Sequence, residues 1–140
     1  MRRVALLAAL TAVLVASLRW SGHAQQPPPA PQFTGRSTPM DGKDLSVARR
    51  RFEPGARTYW HSHDNGQLLL VEDGRMRVQK RGQAMRELGV GESDYTGPNV
   101  VHWHGAPPDK ALVQINVGFS GSAKWFEAVT DADYAAKPKR

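Results

Sequence analysis

Between residues 46 and 119 the chain is a run of short, strand-like segments separated by Gly, Pro, Asp and Asn, with no helical period within it. "RMRVQKR" shows the pattern most cleanly. Met76 and Val78 fall on one face and Arg75, Arg77, Gln79 and Arg81 on the other, the period of two that a strand requires. "QLLLVE" precedes it across Asp73-Gly74, a dipeptide that predicts a tight two-residue hairpin. Further strands are expected at Val47–Phe52, Thr58–Ser62, Met85–Leu88, Asp94–Thr96 and Ala111–Phe119. A helix signal arises only near the end, where Thr130 caps "DADYAA". In 140 residues there is room for one core. So many short strands around it indicate an all-β, antiparallel sandwich or barrel with a short C-terminal helix.

The start of the chain reads differently. "MRR" is followed by the apolar run "VALLAALTAVLVASL" and then "SGHA", the layout of a secretory signal peptide with cleavage after Ala24. The alternative is an uncleaved anchor ending at Arg19 and Trp20. Cleavage predicts a periplasmic or secreted protein with no stable membrane association. "QQPPPAPQ" then forms a stiff polar linker, so the expected organisation is 1–24 signal, 25–45 linker and arm, 46–136 barrel and 137–140 basic tail. Loss of the first 24 residues removes three arginines and leaves sixteen bases against thirteen acids, a formal +3. That mild, scattered excess gives no basis for nucleic-acid binding. Arg49, Arg50 and Arg51 form the one basic cluster, and on a strand they point to alternating faces. Cysteine is absent, so stability outside the cell must come from the core or from a metal.

Four histidines follow residue 24, in two His-x-His pairs: His61 with His63, and His102 with His104. Residues two apart on a strand share a face, so each pair aims both rings in one direction. Rings from two neighbouring strands can then converge on one ion. Packing in a core or on an exposed edge is the alternative for a lone pair, and a second pair weakens it.

The spacing of these residues resembles the cupin family. Gly55, five residues, His61-Ser62-His63, three residues, Gln67, six residues and Gly74 follow the first cupin motif. Gln67 stands where that motif most often has glutamate. The second motif is looser: Gly91 leads to Gly97-Pro98-Asn99 and His102, with the family's proline and glycine replaced at Gly97 and Asn99 and its asparagine at Ala106. The resemblance implies a single jelly-roll barrel holding one divalent ion through His61, His63, Gln67 and His102. "FEPGARTYWHSHDNGQ", "HWHGAPP" and "WFEAVTDADY" also look like small bacterial cupins that include manganese-dependent hydroxynitrile lyases, in which glutamine at the fourth position is usual. The resemblance favours manganese; iron, nickel or zinc suits the same donors.

A neutral amide and three neutral imidazoles leave the ion its full +2 charge, making it a stronger Lewis acid. His104 is expected beside the ion, either moving a proton as the catalytic residue or holding a structural hydrogen bond. By parity from His61, Tyr59 faces the pocket and Trp60 faces out. Counting from His102 as the resemblance invites puts Gln114 inside, where those lyases carry a histidine. Val113, Ile115 and Val117 then face outward, as do Leu68 and Leu70 by parity with Gln67. Such apolar outer faces fit a homodimer, or packing of the two sheets within one chain. Three functions are open: a metal-dependent lyase on a small oxygenated molecule, a non-catalytic cupin binding a metal or small ligand, and a metal-dependent dioxygenase. Gln114 favours the second; the amide ligand disfavours the third.

Overall fold

The computed structural model describes residues 33–138. The expected signal segment, the linker at 25–32 and the last two residues of the expected basic tail lie outside them. The chain divides into units 1–38 and 39–140, and all the strands and the helix among the described residues belong to the second.

Nine strands and one helix run through that unit: β1 Leu45–Phe52, β2 His61–His63, β3 Gln67–Gly74, β4 Met76–Lys80, β5 Arg86–Leu88, β6 Ser93–Thr96, β7 His102–Gly105, β8 Leu112–Phe119, β9 Ala123–Trp125 and α1 Asp131–Ala135. They form two antiparallel sheets, β1-β8-β3-β6 and β5-β4-β7-β2-β9. This is the all-β jelly roll expected. The chain crosses repeatedly between sheets, so one core forms from both inner faces. It is built of Phe52, Leu69, Val71, Met76, Val78, Leu88, Ala106 and Leu112.

A second apolar cluster, of Trp60, Met85, Trp103, Val129 and Tyr134, joins β7 to the C-terminal segment. Trp103 lies between two site histidines on β7 and is fully buried, so alternation puts it on the opposite face. Its Nε1 donates to Gln79 Oε1 at 2.9 Å. Tyr134, on α1, donates its hydroxyl to the Ala106 carbonyl at 2.8 Å. Thr130 caps α1 by accepting from the Asp133 backbone amide, as its position predicts.

The structure corrects two local expectations. Asp73-Gly74 is no hairpin turn: β3 pairs with β6 and β8, and β4 with β5 and β7. The chain changes sheet here, after a register shift between Val71 and Asp73. Gly74 has φ +80°, and a Cβ on it would overlap the Ala111 carbonyl. Glycine is needed for this crossing and not for a hairpin. Tyr59 is 57% exposed while Trp60 is buried. Parity from His61 fails because β2 begins only at His61, and the irregular backbone before it turns Trp60 into the second cluster. Strand β9 has no sequence signal, being three residues long and wholly exposed. It forms through pairing with β2, His61 opposite Trp125.

A candidate metal centre inside the barrel

Strands β2 and β7 place His61 directly opposite His102. His104, two residues on, shares the face of His102. Gln67 opens β3 in the other sheet and reaches the same space, so donors converge from both layers. His61, His102, His104 and Gln67 are all buried. Ligating atoms of His61, His102 and His104 lie within 4.8 Å of one another. His63 stands beside them, its ring centroid 5.1 Å from that of His61 and 5.7 Å from that of His102. Its Nε2 is buried with no hydrogen-bond partner.

Backbone contacts set the proton positions on two of the rings. His61 Nδ1 lies 3.0 Å from the Tyr59 carbonyl and His102 Nδ1 lies 3.1 Å from the Val100 carbonyl. A carbonyl can only accept, so each Nδ1 carries the proton and each Nε2 presents a lone pair. His102 Nε2 is 3.1 Å from Gln67 Oε1, which leaves two acceptors facing each other with no proton between them. A cation satisfies both at once, and the unpartnered Nε2 of His63 adds a third donor to the same space. The residues fit a divalent ion of the class that accepts imidazole and oxygen ligands.

Burial and neighbouring rings keep the cluster neutral. Desolvation is the first cause in each case: it lowers His61 and His63, pushes His102 down to about 4 and holds His104 well below the usual imidazole range. Neutral imidazole is the form that binds a metal.

A cavity of about 460 Å³ opens onto the centre, lined in part by Arg50, Phe52, His61, His63, Gln67, His104, Asn116 and Trp125, with no acidic side chain among the described residues. Trp125 of β9 stacks on His61 at 4.8 Å and 26°, and Phe52 meets His104 edge-on at 5.8 Å. Tyr59 does not line this cavity. Gln114 is fully buried on β8, and its amide donates to Asn116 Oδ1. Trp125 and Asn116 escaped sequence reasoning. A lone tryptophan outside any apolar run carries no signal, but Asn116 shares the parity of Gln114 and was legible.

The fold and the site together define a small all-β barrel with a metal-capable histidine centre. The cupin domain family matches residues 48–118, and the chain belongs to it. It is 39% identical over 115 residues to an (R)-mandelonitrile lyase of Granulicella tundricola, a match covering 76% of this chain and 88% of that one. A cupin-like protein of Thermotoga maritima is 46% identical with TM-score 0.63, over 65% of this chain and 71% of the other. A double-stranded β-helix protein of Klebsiella pneumoniae shares the fold at 21% identity and TM-score 0.54, over 73% and 90% of the two chains.

Proposed function

We propose that this cupin is a metal-dependent carbon–carbon lyase acting on a small oxygenated molecule of the hydroxynitrile kind. The observation that carries the proposal is the meeting of His102 Nε2 and Gln67 Oε1, two acceptors at 3.1 Å, in a chain similar to an (R)-mandelonitrile lyase. His61, His63, Gln67 and His102 would hold the ion, with manganese favoured by the family resemblance. When bound, it supplies Lewis acidity toward a substrate oxygen.

The protein's own groups do the rest. His104 Nδ1 is buried without a partner and takes the substrate hydroxyl proton. The bond to the nitrile carbon breaks and its electron pair leaves on that carbon as the carbonyl forms. The proton passes from His104 to cyanide, so a hydroxynitrile becomes an aldehyde and hydrogen cyanide. Phe52 and Trp125 bound the pocket with apolar surface. The signal-like first 24 residues support an exported enzyme.

Turnover of mandelonitrile by protein of measured metal content tests this. His104→Ala should keep the metal and lose activity by about 10²-fold or more. Gln114, standing where the resembled lyases carry a histidine, favours the second reading, a binding cupin without turnover. Metal-loaded wild type that turns over neither mandelonitrile nor a carboxylate-bearing hydroxynitrile favours that reading instead.

A further inference from the structure

The cavity contains one cation without a counterion. Of the three consecutive arginines on β1, Arg49 pairs with Glu72 and Arg51 pairs with Glu53 at 2.7 Å. Arg50 makes no ion pair among the described residues. Alternation turns it away from those two and onto the face of Ala48 and Phe52, and it lines the cavity with Phe52 and His104. Cross-strand register sets it opposite the buried Gln114, and it shares the cavity lining with His104, so its side chain emerges beside the reacting end of the pocket. Arg57, the other arginine of that lining, is already engaged with Asp131 at 2.7 Å and the Val129 carbonyl at 3.2 Å. With no acid in the lining, a divalent ion and Arg50 would leave the pocket strongly positive.

We infer that Arg50 is a specificity-determining residue and that the substrate carries a carboxylate, which Arg50 receives while the reacting oxygen lies at the histidine centre. This rests on the proposed function for the location of that centre. A guanidinium offers a planar pair of donors matched to a carboxylate, and Arg50, exposed on β1 at the cavity's edge, can meet a substrate carboxylate as it enters. Neutral hydroxy compounds would enter without using it.

The test uses mandelate and mandelamide, matched in shape and differing in charge, titrated calorimetrically into the protein as purified, with metal content measured on the same samples. Wild type should prefer mandelate. Arg50→Gln should lower the mandelate-to-mandelamide affinity ratio about tenfold, Arg50→Lys should restore part of it, and both variants should retain the metal. An unchanged ratio in Arg50→Gln, or failure of wild type to bind mandelate, overturns the inference. Absence of metal from wild type counts against the proposed function instead, and the affinity ratio still reports on Arg50.

Discussion

Acid should unfold the metal-free protein earlier than its carboxylates alone would allow, because the site histidines are buried in their neutral form. His102 illustrates the size. Its pKa is about 4 in the folded protein against 6.5 for a free imidazole. Above pH 6.5 neither state binds the proton and stability is complete. As the pH falls, unfolded chains take up the proton first, and stability drains until about pH 4, below which both states bind it. Proton linkage gives a loss of about 2 kcal/mol from His102 between pH 7 and pH 5, and about 3 kcal/mol by pH 4. His61, His63 and His104 are shifted in the same direction and add to it. Urea unfolding of chelator-treated protein at pH 7, 6 and 5 reads this window, which lies above the titration of ordinary carboxylates. His102→Gln should reduce the difference between pH 7 and pH 5 by about 2 kcal/mol. A stability that stays level from pH 7 to pH 5, or a variant with the same pH dependence as wild type, would refute the neutral buried cluster.

Other consequences concern packing. Leu69→Ala, in the middle of β3 and fully buried, should cost about 3 kcal/mol in urea unfolding. Gly74→Ala should cost clearly more than Gly82→Ala: both glycines have positive φ, but of the two only at Gly74 would the added Cβ strike backbone, the Ala111 carbonyl. The control should lose about 1 kcal/mol, and equal losses would remove the case for a tight sheet crossing. The outer face of the β1-β8-β3-β6 sheet carries Val47, 70% exposed, beside Val117, Leu68, Ile115 and Leu70 in cross-strand register. We expect a second copy to cover it. Sedimentation should show a dimer for wild type and a monomer for Ile115→Lys.

Much of this was legible because a strand's period of two governs both what is buried and what meets. Met76 and Val78 inward, Gln67 and Gln114 inward against their apolar neighbours, and the shared face of each histidine pair all come from counting. Counting failed where the backbone left the strand, at Tyr59 and Trp60, since irregular residues keep no parity. Partners failed at Asp73-Gly74, where a turn-like dipeptide served a crossing between sheets that only tertiary contacts reveal. His104 shows the limit at the site itself. Sequence places it on the face of His102, yet the structure gathers it into one compact group with His61 and His102 and leaves His63 alongside. Whether a ring donates to an ion or to a proton depends on distances that no spacing encodes.

Metal content by mass spectrometry on wild type, Gln67→Ala, His63→Ala and His104→Ala tests the centre most directly. Near one ion per chain in wild type and in His104→Ala, with loss in the other two variants, is the predicted result. Metal retained in His63→Ala and lost in His104→Ala would contradict the assignment and make His104 a ligand, leaving the proposed lyase without its proton carrier.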